Sequence, residues 1–202
     1  MKFVVVVGSH RSNSQSSKVA RYLGRQISEL VPRVSTFHLD LARTPLPMWR
    51  ESDDAQKDNF ESIWPQISDE LLACDALVVV APEWHGMVPP ALKNFFLHCD
   101  GELANKPGLI VGVSAGNGGA YPISELRMSS YKNSRICWIP DHLIVRNVED
   151  VLNDSSELTT ASEGKLRQRA MYCVRLLAEY AKGLSLVRSS GVVDLVAHPF
   201  GM

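Results

Sequence analysis

Phe3-Val4-Val5-Val6-Val7-Gly8-Ser9-His10-Arg11-Ser12-Asn13-Ser14-Gln15-Ser16-Ser17 decides the fold. Four valines after Phe3 read as a short strand buried on both faces, as in a parallel sheet. The run breaks at Gly8, and hydroxyl and amide side chains follow. Val19, Leu23, Ile27 and Leu30 then fall on one face at helical spacing. The order is therefore strand, polar loop, amphipathic helix. Unpaired backbone N–H groups at the helix start, together with serine hydroxyls, make a cradle for a phosphate. Arg11 adds a cationic fork. A single Ser or Asn would suffice to cap the helix. Ser9, Ser12, Asn13, Ser14, Ser16 and Ser17 with Arg11 exceed that need. No Gly-Lys-Ser/Thr follows, so the loop is not a Walker A, and it is not the dinucleotide G-x-G-x-x-G either. A single phosphate monoester fits it better than a pyrophosphate.

The 202 residues suit one domain with a real core, and 45% hydrophobic and 21% charged content are ordinary for a globular protein. A net charge of −1 gives no bulk attraction for nucleic acid. No apolar stretch approaches the ~20 residues of a membrane span, and the valine run is too short for a signal peptide. Cys74, Cys99, Cys137 and Cys173 show neither C-x-x-C nor zinc-ligand spacing. They read as buried free thiols, which fits a reducing cytoplasm.

Further along, Val34–Leu39 alternates as a second strand. Asp40 to Asp54 holds Pro45, Pro47, Met48 and Trp49 and reads as a long loop, with Trp49 either a lid or an anchor. Asn59 to Cys74 is helical in pattern, with a kink or fresh start expected at Pro65. Ala76–Ala81 is a third strand, ended by Pro82-Glu83-Trp84-His85-Gly86. A helix opens near Pro90. Gly108–Ser114 is a fourth strand, followed by Ala115-Gly116-Asn117-Gly118-Gly119. Tyr121 to Asn133 is a helix, and Arg135–Ile139 and Leu143–Val145 are strand candidates. Asn153 to Glu163 is a polar loop. Glu163 to Lys182 is a strong helix that Gly183 is expected to end, leaving Leu184–Met202 as a strand-like tail. The domain is thus drawn as residues 1–183 with a tail at 184–202.

Strands alternating with helices imply right-handed crossovers and a parallel sheet with helices on both faces. The ligand site of such a sheet lies beyond the carboxyl ends of its strands. Three chemically loaded loops, Ser9–Ser17, Pro82–Gly86 and Ser114–Gly119, would meet at that edge.

At these residues the chain resembles the NADPH-dependent FMN reductase family of flavin, quinone, azo-dye and chromate reductases. Gly8-Ser9-His10-Arg11-Ser12-Asn13-Ser14 is similar to its G-S-x-R-x-x-S signature. Pro82-Glu83-Trp84-His85-Gly86 with Leu92-Lys93-Asn94 is similar to P-E-Y-N-G…L-K-N, and Gly116-Asn117-Gly118-Gly119 to its third loop. The resemblance runs from Phe3 to about Ile139. Trp84-His85 departs from the commoner Tyr-Asn, Leu97 stands where many members have Asp, and the chain beyond Asp141 is longer than the family core.

The resemblance implies a flavodoxin-like, doubly wound, five-stranded sheet of order 2-1-3-4-5. It implies that Ser9, Arg11, Ser14 and Ser16, with Gln15, hold the FMN phosphate. Pro82, Glu83, Trp84, His85 and Gly86 would lie along the isoalloxazine, and Ser114, Gly116 and Gly118 would close its other side. The implied activity is hydride transfer from NADPH or NADH through FMN to a flavin, quinone or similar acceptor, and the implied state is a homodimer or homotetramer. Flavin carries that step itself, so no catalytic side chain and no metal is expected. Glu83 is read as fixing its loop or facing solvent. His10 and His85 are open between ligand contact and plain loop positions, and the other histidines are read as structural. Phe95-Phe96-Leu97 exceeds what one helix face buries and reads either as a subunit contact or as part of a core packed on both sides. No basic run marks a 2′-phosphate site, which leaves NADPH against NADH open. The competing readings are a flavodoxin-like electron carrier, disfavoured by the G-S-x-R-x-x-S loop and the near-zero charge, and a phosphate-ligand module that has lost its flavin.

Overall fold

A computed structural model of the protein describes residues 1–50, 63–154 and 160–199. Its elements run β1 (Lys2–Val7), α1 (Gln15–Leu30), β2 (Ser35–Asp40), α2 (Trp64–Leu72), β3 (Ala76–Pro82) and α3 (Pro90–His98). They continue with β4 (Pro107–Val113), α4 (Tyr121–Ser129), β5 (Cys137–Trp138), β6 (Leu143–Val145) and α5 (Ala161–Ser189). The described sheet is parallel throughout, in the order β2-β1-β3-β4-β5.

The valine run explains itself in the packing. Phe3, Val5 and Val7 of β1 face one core with Val78 and Val80 of β3, beneath α1 and α5. Val4 and Val6 face the other, with Leu77 and Val79, beneath α2, α3 and α4. A strand covered on both sides has no polar alternation to keep, so every position is apolar. On α1 the expected stripe holds: Val19, Leu23 and Ile27 are fully buried.

The sheet differs from five plain strands. β5 pairs with the start of β4 (Pro107↔Cys137), and β6 pairs with its end (Val111↔Leu143). The fifth lane is thus one interrupted strand, broken at Pro140, which has no N–H to donate to a ladder. Pro65 gives the fresh start: α2 begins at Trp64 with a proline in its first turn. The earlier part of that expected helix, 59–62, lies outside the described residues, as do 51–54 of the Pro-rich loop, 155–159 of the polar loop and the tail's last residues, 200–202.

The end of the last helix is a correction. α5 runs through Gly183 to Ser189, and the residues after it form turns rather than a strand. Gly191, with φ +77°, is the left-handed residue past the cap, the position favoured for glycine. Gly183 within the helix costs about 1 kcal/mol relative to alanine. Arg188 offsets it, donating to Asn105 O at 3.0 Å and lying 3.6 Å from Asp75. The start of α5 is capped by Thr160, whose Oγ1 accepts from Glu163 N at 3.1 Å.

Candidate functional site

The three loops meet at the carboxyl edge of the sheet. Gly8 N donates to Val80 O at 2.8 Å, which turns the chain out of β1 against β3. A Cβ here would lie 2.7 Å from Leu92 Cδ2 and 3.1 Å from Val80 O, so only glycine fits under α3. Ser14 is the N-cap of α1: its Oγ accepts from Ser17 N at 3.1 Å and lies 2.9 Å from Ser17 Oγ, which donates to Asp40 Oδ2 at 3.0 Å. Part of the serine content therefore serves the helix itself. Ser9 and Ser16 are buried, with Ser9 Oγ accepting from Arg11 N at 3.2 Å. Gln15 and Arg11 are exposed.

Arg11 does not reach into solvent alone. Its guanidinium lies 5.7 Å from the centre of the Trp84 ring, and the His10 ring is 5.9 Å from the same indole. The first loop thus packs on the second through one tryptophan. Trp84 and Met87 exchange backbone hydrogen bonds of 3.1 and 2.8 Å. Between them His85 (φ +49°) and Gly86 (φ +72°) are both left-handed, the conformation of a tight hairpin turn. The pair forms the tip of that turn.

Glu83 joins the second loop to the third. Its Oε2 accepts from Gly119 N at 2.6 Å and Tyr121 N at 3.3 Å. A Cβ on Gly118 would meet Glu83 Oε1 at 2.7 Å, which leaves the carboxylate its place only beside a glycine. Of the two readings of Glu83, the structure gives loop fixing. Ser114 Oγ accepts from Gly116 N at 3.2 Å and closes the start of the third loop.

A cleft of about 190 Å³ opens between the loops. Ser9, Arg11, Ser14, Gln15, Ser16, Pro82, Glu83, Trp84 and Ser114 line it. His85, Gly86, Gly116 and Gly118 belong to the same loops but do not line it. Among the described residues, the Trp84 indole Nε1 is buried with no hydrogen-bond partner. A buried donor of this kind is uncommon.

Four lining residues were missed by sequence reasoning: Val113 and Ala115, which flank Ser114, and Val148 and Glu149. The last two come from a segment that sequence reasoning left out of the site. They follow β6, so the rule that sites gather after strands would have reached them had that short strand been treated as the others were. Their support carries no local signal at all. Lys18 Nζ donates to Val148 O (2.5 Å), Val151 O (2.9 Å) and Asn153 Oδ1 (2.7 Å). Burial lowers the Lys18 pKa, against the opposing pull of Asp150, Glu149, Asp154 and Glu163. Glu163, buried, accepts from Leu152 N at 3.0 Å and pairs with Arg167 at 2.7 Å. The 148–153 wall is thus held from α1 on one side and α5 on the other.

Asn94 also has a use the motif did not reveal. Its Oδ1 accepts from Trp49 N at 2.8 Å, and its Nδ2 donates to Pro47 O at 2.8 Å and Leu46 O at 3.3 Å. The buried amide anchors the Pro-rich loop, and Trp49 is held there by its backbone. The four cysteines are free thiols. Among the described residues, no helix is long and apolar enough to cross a membrane, and no group of His, Cys, Asp and Glu could hold a metal ion.

A parallel sheet of this order, with helices on both faces and three polar loops meeting at its carboxyl edge, defines a flavodoxin-like protein. A family model for NADPH-dependent FMN reductase matches residues 1–150, and the chain belongs to that family. It is an NAD(P)H-dependent flavin oxidoreductase that uses FMN and NADPH. The FMN-dependent NADPH-azoreductase of Staphylococcus aureus is 28% identical over 172 residues, covering 84% of this chain and 90% of its own. Among solved structures, the flavoenzyme NAD(P)H:(acceptor) oxidoreductase of Paracoccus denitrificans superposes with a TM-score of 0.72 at 20% identity. It covers 90% of this chain and 97% of its own. A flavodoxin from the domain Archaea gives 0.52 at 14%, covering 92% and 99%. These likenesses confirm the fold, and the family assignment sets the electron-carrier reading aside.

Proposed function

We propose that FMN is held in the cleft between the three loops and passes electrons from NADPH to a small organic acceptor. The observation that carries this is the convergence of three loops on one cleft, in which Ser9, Arg11, Ser14 and Ser16 at the start of α1 share a lining with Pro82, Glu83, Trp84 and Ser114. The donors fit the group: amide N–H groups at the helix start and the Ser9, Ser14 and Ser16 hydroxyls suit a phosphate, with Arg11 as cation and Gln15 beside them. At about 190 Å³ the cleft is small for a whole mononucleotide and suits its phosphate-bearing end. Bound FMN supplies the redox chemistry.

The chain's own residues bind and orient. Pro82, Trp84 and Ser114 line the way out of the cleft. Glu83 acts by holding Gly119 and Tyr121 in place. The loops carrying His85, Gly86, Gly116 and Gly118 would hold the isoalloxazine of FMN through their backbone groups. No side chain has to give or take a proton for this work. The acceptor class is a flavin, a quinone or an azo compound. The Staphylococcus relative is named for the last, which makes an azo dye the acceptor to test first.

The assembled form is a homodimer or homotetramer. Leu97 (55% exposed) of α3, Met87 (51%) of the second loop and Met128 (75%) of α4 support this reading. A clean monomer in light scattering would remove that part. Residues 1–183 are the reductase unit, with 184–202 as an appendage that includes the last turn of α5. The compartment is a reducing cytoplasm, a reading supported by the four free thiols.

The test is the visible spectrum of the purified protein with FMN added and the excess removed, followed by anaerobic NADPH. Retained flavin that bleaches supports the reading. Retained flavin that ignores both NADPH and NADH overturns it in favour of a carrier. If no flavin is retained, turnover of free FMN decides whether FMN is a substrate or the site is lost.

A further inference from the structure

The cleft at the carboxyl edge has a wall that comes from outside its three loops. Val148 and Glu149, just past β6, line it together with Ser14, Gln15 and Ser16 at the start of α1. The wall thus shares its cleft with the proposed phosphate donors.

Three elements fix this wall. Lys18 stands one turn beyond Ser14 on α1, and its ammonium directs all three of its donors to Val148 O, Val151 O and Asn153 Oδ1. Val148 N donates to Ser114 O at 3.2 Å and Asn147 N to Gly116 O at 3.0 Å, so the wall is also tied to the third loop. From α5, the buried Glu163 carboxylate accepts from Leu152 N at 3.0 Å. Leu152 is fully buried with φ +56°, a left-handed conformation that leucine adopts only at a cost. Such strain persists only where the surroundings over-determine it, as Lys18 and Glu163 do here.

The face that the wall gives the cleft is chemically one-sided. Val148 is buried and apolar, and Glu149 brings an exposed carboxylate, with Asp150 next in the chain. Lys18, the cation beside them, is committed to the wall itself. A terminal phosphate monoester needs donors, and Ser9, Arg11, Ser14 and Ser16 offer them elsewhere in the lining. A second phosphate and the nucleoside beyond it would need further space and further donors. The cleft, at about 190 Å³, is already below the usual size of a small-molecule site, and its remaining wall offers a carboxylate and a carbon surface. Blocked space and a like charge are the repulsive half of specificity.

We propose that the 148–153 wall makes the site select a flavin mononucleotide against a flavin dinucleotide, with Glu149 as the charged face that turns away a second phosphate and Lys18 as its positioning residue. The inference rests on the reading of this cleft as the FMN site and adds to it what the site refuses.

The test is calorimetric titration of the full chain, freed of flavin, with FMN and with FAD. FMN is expected to bind at least about a hundredfold more tightly. Glu149→Gln removes the charge and keeps the shape, and in it the preference for FMN narrows about tenfold through tighter FAD binding. Lys18→Met leaves the wall's acceptors unpaired, so it weakens FMN and narrows the same ratio. A wall that only supported the fold would weaken both flavins in step in Lys18→Met and leave their ratio where it was, and that result overturns the proposal. So does a wild-type protein that takes FAD as tightly as FMN, or a Glu149→Gln variant with an unchanged ratio. Where Lys18→Met does not fold, the Glu149→Gln ratio alone decides. Failure of the flavin reading shows separately, as a wild-type protein that binds neither flavin, and the selection then falls with it.

Discussion

The two edges of the sheet carry similar polar residues and use them in opposite ways. At the amino edge the charges are engaged within the chain. Lys106 Nζ, buried, donates to Leu71 O (2.6 Å) and Leu72 O (2.7 Å) and so closes the end of α2. Lys2 pairs with Glu70 at 2.6 Å, and Asp75 accepts from Lys2 N at 2.9 Å while Arg188 approaches it. At the carboxyl edge Arg11 rests on an indole, Trp84 Nε1 has no hydrogen-bond partner among the described residues, and the first turn of α1 borders a cleft. Satisfied polar groups hold a fold together, and at the carboxyl edge Lys18, Ser14 and Glu83 do so beside exposed donors such as Arg11.

This contrast can be broken by mutation. Lys106→Ala should be the most damaging change. It leaves two carbonyls at the end of α2 without their charged donor and opens a void, at a cost of about 3 kcal/mol. Urea denaturation measures it, and FMN affinity at temperatures where the variant stays folded should not move. A loss of FMN binding with stability intact would reverse the assignment of the two edges.

Arg11→Ala should do the reverse, weakening FMN binding by about 2 kcal/mol, within the range for a charged hydrogen bond, with little change in the unfolding midpoint. Fluorescence titration of FMN reads this directly, and an unchanged dissociation constant would mean the cradle lies elsewhere. Glu83 tests the contrast most finely, because it sits at the binding edge yet is engaged within the chain. Glu83→Gln should cost about 1.5 kcal/mol in stability and also weaken FMN, since Gly119 N and Tyr121 N lose a charged acceptor. If only one of the two quantities changes, loop fixing and ligand binding are separable there.

Cys173 belongs to neither edge and makes the smallest prediction. Burial pushes its thiol from an ordinary 9.0 up to about 11. The folded pKa is raised, so the unfolded chain loses this proton first. The contribution is fully present below pH 9 and is lost as pH rises toward 11, amounting to about 1 kcal/mol by pH 10. Cys173→Ala should flatten that part of the alkaline stability loss. An identical slope in the wild type and the variant would assign it to other groups.

The sheet was legible because burial on both faces leaves uninterrupted apolar runs, and Phe3–Val7, Ala76–Ala81 and Leu109–Val113 are such runs. The loops were legible as types of residue: Gly8, the hydroxyls after it, and the glycines near Ser114. Their partners were not. Nothing near Lys18 announces acceptors about 130 residues away. The end of α5 was misplaced for a related reason. Glycine is a local stop signal, but the anchor that carries the helix past Gly183 is Arg188 on Asn105 and Asp75, a tertiary contact. Short β5 and β6 pair at opposite ends of β4, so neither alone has the length by which strands are recognised.

The Lys18 ammonium has a consequence for the order of events during synthesis. The residues of the proposed cradle are made before the wall beside them, at 148–153, which comes about 130 residues later and is locked by an α5 carboxylate later still. At 5–20 residues per second that gap lasts roughly 6–26 seconds. Through that interval the nascent N-terminus exposes a cradle without its wall. Nascent chains arrested before residue 148 should therefore fail to capture FMN, however complete β1, α1 and β3 already are.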